Sequence, residues 1–208
     1  MMWRVFVVVS MVPILATKVA TEIFGLGACP PVKVHPSFDI NQFLGKWYVI
    51  QSHLTSGTCL QRQVSRAPNG RFYLSQIGST IAGLPVLGES SRELEIPSGE
   101  PAKMALKRPF NIMRPTLDYW VLGTDYDNVA ITWTCRNLFF GHLHSLEILS
   151  RQSSLDHNVI NIIENFLHDF NLEPGRLVYI SQKNCDHTEE RPTLSLSFTN
   201  FVDRLFNL

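Results

Sequence analysis

Charge is scarce in this chain, and what charge there is cancels. Eighteen Lys and Arg stand against eighteen Asp and Glu in 208 residues, and charged residues make up only 17% of the sequence. No block of like charges occurs. Nucleic acids and anionic membrane surfaces recruit clustered Lys and Arg, so neither is expected as the main partner. GxSxG, HExxH and a glycine-rich phosphate loop are absent too, so the sequence frames no serine nucleophile, zinc-protease pair or nucleotide cradle, and no cofactor is expected. CxxC does not occur, nor does an Asn-x-Ser/Thr sequon, so redox, zinc-ribbon and N-glycosylation readings find no support. Neither an internal repeat nor a low-complexity linker divides the chain. Its length suits one domain with tails, or at most two small domains.

Apolar residues are present in ordinary amount, with thirteen Phe among them. The first of them read as an address. Arg4 supplies a positive start, and residues 5–16 form a short apolar run broken by Pro13. A membrane span needs about 20 apolar residues, so residues 1–20 are read as a secretory signal peptide, cut after Ala16 or Ala20. An uncleaved anchor is the alternative. Four cysteines follow, Cys29, Cys59, Cys135 and Cys185. Behind a signal peptide an even count implies two disulfides, but four cysteines allow three pairings and spacing does not choose among them.

From residue 44 onward the chain reads as short strands separated by turn signals: 44–53, 58–66, 71–79, 86–96, 102–108, 119–124, 129–136 and 142–151. Asn69-Gly70 between the second and third is a strong hairpin signal. Residues 79–85 read as a loop. The pattern then changes, with apolar residues at Val159, Ile162, Ile163, Phe166, Leu167 and Phe170, which are helix spacings. A helix over 156–172 follows, capped by Ser154 or Asp156 and stopped at Pro174-Gly175. One more strand spans 177–181. Regularly spaced antiparallel strands followed by one helix predict an all-β, eight-stranded up-and-down barrel with the C-terminal α-helix on its outside.

Gly45-x-Trp47 opens the first strand, Thr124-Asp125-Tyr126 lies between the sixth and seventh, and Arg151 ends the eighth. In this order and spacing the three resemble the signature regions of the lipocalins. "CPPVKVHPSFDINQFLGKWY", "EPAKMALK", "DYWVLGTDYDNVAITWTC" and "LEILSR" are similar to one subgroup of that family. The resemblance runs over about 29–185, which is read as the lipocalin domain. It implies that Trp47 lies across the barrel floor with Arg151 packed over it, a structural pair worth about 0.5–2 kcal/mol as a cation–π contact. It also implies the pairings Cys29–Cys135 and Cys59–Cys185.

A family barrel of this size has room for one small ligand. With Trp47 and Arg151 marking the floor, the two-residue period of a strand turns Phe72, Leu74, Met104, Leu106, Tyr119, Val121, Thr132, Thr134, Glu147 and Leu149 inward. Trp120, Leu122, Ile131 and Trp133 then face outward, partly under the helix. An inverted register swaps the two sets. Glu147 stands out, because a buried carboxylate needs a partner. A polar ligand group, Arg151, a lysine or a wet mouth are the options. His142 and His144 share a strand face, but no third metal ligand is evident, so they read as solvated histidines of the rim.

The resemblance implies a secreted carrier that transports or sequesters a small hydrophobic molecule, such as a fatty acid, sterol or retinoid. Two alternatives stand beside it. One is a lipocalin-type enzyme, a lipid isomerase or lipid-peroxide reductant using Met104 or a free cysteine, although a disulfide at Cys59 removes its thiolate. The other is an interaction module with a self-filled barrel. Residues 186–208 lie outside the resemblance. Phe198, Phe201, Val202, Leu205 and Leu208 fall at helical spacings there, so a short amphipathic helix with weak membrane or lipoprotein contact is weighed against a loose terminus.

Overall fold

A computed structural model describes residues 22–53, 57–78, 80–81, 84–85, 90–107, 116–169, 172 and 177–185. The signal-peptide reading and the amphipathic tail therefore fall outside the described residues.

Eight strands form the barrel wall: β2 (Gly45–Ser52), β3 (Gln61–Arg66), β4 (Phe72–Ile77), β7 (Ser90–Glu95), β8 (Lys103–Leu106), β9 (Leu117–Thr124), β10 (Val129–Asn137) and β11 (Gly141–Ser150). Each pairs antiparallel with the next, and β11 pairs back onto β2, so the sheet closes. Closure leaves these strands without the unpaired edge that invites aggregation. The Asn69-Gly70 signal is a turn, with Gly70 at φ +82° and Gly70 N–H donating to the Ala67 carbonyl at 2.9 Å. A further hairpin, β5 (Thr80–Ile81) with β6 (Leu84–Pro85), occupies the stretch read as a loop.

The ends carry two additions. β1 (Ile23–Leu26) pairs with the start of β11 and has no counterpart in the sequence reading. Four residues with a central glycine give too short a pattern to announce a strand. At the other end, β12 (Val178–Tyr179) pairs with the end of β2. The chain between β1 and β2 runs down the outside of the barrel. Its descent is fixed at the top by the Cys29–Cys135 disulfide and at the bottom by His35 N–H donating to the Val121 carbonyl at 2.9 Å. It ends in one helical turn, α1 (Ile40–Phe43), whose Asp39 cap accepts from Asn41 N–H. A second disulfide, Cys59–Cys185, ties the chain after β12 to the β2–β3 connection.

α2 (His157–Asp169) covers one outer face. Asp156 is its cap, accepting from Asn158 N–H at 2.7 Å. Val159, Ile163 and Leu167 are buried against Leu122, Ile131, Trp133, Leu146 and Ile148 of β9–β11. Each such side chain contributes about 1.5–3 kcal/mol on burial. This explains why β9 and β10 are apolar on both faces: one row meets the lumen and the other meets the helix. Among the described residues no helix is long and apolar enough to cross a membrane.

Candidate functional site: the barrel interior

The closed end is built by the three signature stretches. Arg151 at the end of β11 lays its guanidinium 3.7 Å from the Trp47 ring centre. It also donates to three carbonyls: Tyr126 at 3.0 Å, Lys46 at 2.9 Å and Gln42 at 3.3 Å. Gly45 explains itself in this setting. It sits at φ +102°, and a Cβ there would lie 3.1 Å from the Arg151 guanidinium. The Trp47 indole N–H donates to the Phe43 carbonyl at 3.0 Å, and the ring is fully buried.

Thr124-Asp125-Tyr126 makes the turn between β9 and β10. Asp125 accepts from the Asn128 and Val129 N–H groups, both at 2.8 Å. Thr124 Oγ1 accepts from Tyr126 N–H and donates to the Val129 carbonyl. Tyr126 takes the left-handed conformation, φ +65°, and its hydroxyl accepts from Asp39 N–H at 2.8 Å. Each residue type is thus tied to one bond of the turn or to the chain crossing beneath it.

Above this floor lies one continuous apolar cluster. Leu74, Met104, Leu106, Tyr119, Val121 and Leu149 belong to it with Trp47, Val49, Leu60, Val64 and Leu94, and Phe72 packs at its margin, partly exposed. Thr132 is buried opposite Glu147 in the β10–β11 register. Thr134 is half-buried, and its hydroxyl donates to the Ser145 carbonyl at 3.4 Å. Trp120, Leu122, Ile131 and Trp133 lie on the other face. Bulges between Ile131 and Thr132 and between Ile148 and Leu149 shift the pairing locally.

Glu147 finds a partner that the sequence reading did not consider. It pairs neither with Arg151 nor with a lysine, and it is not at a wet mouth. Arg62 of β3 reaches over β2 and grips it bidentately, Nε to Oε2 at 3.0 Å and Nη2 to Oε1 at 2.5 Å. Both side chains are about nine-tenths buried, with 9% and 10% exposed. Ser52 Oγ adds a long contact to Oε1 at 3.5 Å. Burial pushes the arginine toward neutrality, but the attraction of Glu147 outweighs this and holds its pKa above the ordinary value. The Tyr119 hydroxyl, buried beside the pair, is pushed far up by desolvation and then by the Glu147 charge. Neither the Tyr119 hydroxyl nor that of buried Thr132 has a hydrogen-bond partner among the described residues.

The two histidines are not the solvated rim pair expected: one is buried and the other half-buried in an aromatic stack. His142 is buried, its ring stacks 5.2 Å from His144, and His144 stacks 4.7 Å from Trp133. They form an outer aromatic column under β1, and among the described residues no group of three or more potential ligands could hold a metal ion. All four cysteines are in disulfides, so the unreduced chain has no thiolate to use as a nucleophile. A groove of about 550 Å³ lies outside the barrel, between residues 32–36, the turn at 99–101 and Phe166. Lys33, Glu100 and Lys103 edge it, and it is separate from the interior.

A closed antiparallel barrel of eight strands, sealed by an arginine-capped tryptophan and flanked by one helix, defines the class, and the chain belongs to the lipocalin family. The family model described as "Lipocalin / cytosolic fatty-acid binding protein family" matches residues 97–184. Apolipoprotein D of Bos taurus is 32% identical over 79% of this chain and 87% of its own length. Apolipoprotein D of Cavia porcellus is 30% identical over 88% of this chain and 98% of its own length. Among solved structures, insecticyanin from the tobacco hornworm Manduca sexta superposes with a TM-score of 0.65 at 23% identity, covering 78% of this chain and 90% of that one, a likeness of fold.

Proposed function

We propose that this protein is a secreted carrier that holds one small hydrophobic molecule inside the barrel and transports or sequesters it. The observation that carries the reading is the closure of β11 onto β2 around an inward row that is apolar at Leu74, Met104, Leu106, Val121 and Leu149. Taking an apolar ligand out of water contributes about 25 cal/mol per Å² buried, so binding needs no chemistry beyond removing ligand surface from water. The hydroxyls of Tyr119, Thr132 and Thr134 and the carboxylate of Glu147 are the polar groups that orient the guest, in keeping with the usual make-up of small-molecule sites. We assign no catalytic residue. Two long-range disulfides, with separations of 106 and 126 residues, fit an oxidising compartment. Cleavage after Ala16 or Ala20 keeps β1 and the Glu22–Arg136 ion pair at 2.6 Å.

The test is to purify the protein with its disulfides intact, extract it with organic solvent and analyse the extract by mass spectrometry. A stoichiometric apolar molecule is expected. An empty extract, together with no change of intrinsic tryptophan fluorescence on titration with fatty acids, sterols or retinoids, overturns the carrier reading in favour of a self-filled barrel.

A further inference from the structure

Four arginines stand on inward rows of the barrel wall; two are already neutralised, and Arg66, beyond Val64 at the closed end of β3, is exposed over the Phe72 ring at 5.4 Å. Arg62 is held by Glu147, deep in the barrel. Arg136 continues the row of Thr132 and Thr134 on β10 and pairs with Glu22 at 2.6 Å. The fourth is Arg92 on β7. Its register partner is Leu74, and Leu94, two residues on, lies in the interior cluster. Glu93 between them points the other way, to exposed Arg71 and Lys107 on the outer surface. Alternation therefore turns Arg92 toward the lumen. It is half-buried and takes part in none of the ion pairs among the described residues. It also sits near the start of β7, two residues from Ser90, on the mouth side of Leu94.

We infer that Arg92 holds the acidic head of an amphiphilic ligand, so that the barrel prefers a carboxylate-bearing apolar molecule to the uncharged version of the same molecule. This rests on the carrier reading and names the ligand class for that site. An anion entering the lumen needs a cation not already spoken for. Arg62 cannot serve without stripping Glu147 of both its charge-assisted bonds, which leaves a buried carboxylate unpaired. Arg136 has Glu22. Arg92 can present its guanidinium fork to a carboxylate bidentately while the apolar tail lies against Leu74, Met104 and Leu106. The ligand then sits head toward the mouth and tail toward Trp47.

Binding of cis-parinaric acid and of its methyl ester, followed by the fluorescence of the polyene, tests this directly, because the two differ only in the head. At pH 7.4 the wild-type protein is expected to bind the acid about tenfold more tightly than the ester. Raised salt should narrow the gap, since Arg92 is not fully buried. Arg92→Gln should abolish the preference and Arg92→Lys should keep part of it. Arg71→Gln, which removes the same charge from the outer face, should leave it intact. Equal affinity for acid and ester in the wild type, or a preference that survives Arg92→Gln, overturns the assignment and leaves the carrier reading standing. Failure of the wild type to bind either probe overturns the assignment, and overturns the carrier reading as well only when the solvent extract is also empty and sterols and retinoids do not bind.

Discussion

At residue scale the closed end shows how much one side chain can organise. Arg151 covers the Trp47 ring and ties together three backbone segments through the carbonyls of Tyr126, Lys46 and Gln42. Arg151→Ala should lower the unfolding free energy by about 2–4 kcal/mol, measured by denaturant with disulfides intact, because charged hydrogen bonds and a cation–π contact go together. Arg151→Lys should recover little, since an ammonium cannot span three acceptors from over the ring. The Arg62–Glu147 pair behaves differently. Glu147→Gln leaves a buried guanidinium without its counter-charge and should destabilise by about 3–5 kcal/mol. Arg62→Met with Glu147→Leu removes both charges and should lie near wild type; a double variant as unstable as the single one would contradict the view that the cost comes from the orphaned charge. Trp47 and Arg151 were legible because the family writes them in a fixed order. Arg62 was not. In "QRQVSR" it looks like one more surface charge, and the glutamate that buries it is 85 residues away.

Among the elements, the segment before β2 does most that the sequence did not announce. It has no periodicity, yet it is stapled to β10 by Cys29–Cys135 and lies under the β9–β10 turn. His35 is buried there, edge-on to Phe38 and Tyr126. Desolvation holds its pKa below the ordinary 6.5, and a bond to the Thr124 backbone offsets this only in part. The sign follows from linkage. Below about pH 6.5 the unfolded chain takes up a proton that the folded one refuses, so stability falls as pH drops through this range and is level above it. Denaturation midpoints measured from pH 7.5 to 5 should decline, and His35→Gln should flatten that part of the curve. An unchanged slope in the variant would assign the decline to other groups. Strands and helix, by contrast, were readable as elements, since period-two and helical spacings are local properties. Their ends moved by a few residues. The predicted helix over 156–172 is seen as His157–Asp169, where the Asp156 cap sets the start.

For the whole molecule, the barrel is stapled by two disulfides, closed on itself and stoppered at one end, so a bound guest acts on stability by mass action. Ligand at one hundred times its dissociation constant adds about 2.7 kcal/mol. Protein melted before and after solvent extraction should therefore differ, with the extracted sample melting lower and recovering when the extract is returned. Identical melting curves would mean that nothing of consequence had been removed. The inward and outward rows of β9 and β10 show why the interior was only half legible. Both rows are apolar, so composition alone could not tell lumen from helix contact. The Trp47 and Arg151 markers together with strand alternation chose the parity, and a bulge such as that beside Thr132 can shift it locally.

The order of elements, the turn at Asn69-Gly70, the site of the helix and the residues of the floor were determined by the sequence alone, because each depends on spacing within a few residues or on a signature carried in order. The β1 strand, the partner of Glu147, the burial of His35 and the different circumstances of Arg62, Arg136 and Arg92 were decided only when the wall closed. A side chain's charge is printed in the sequence, but whether another charge neutralises it depends on which distant strand the fold brings within about 3 Å.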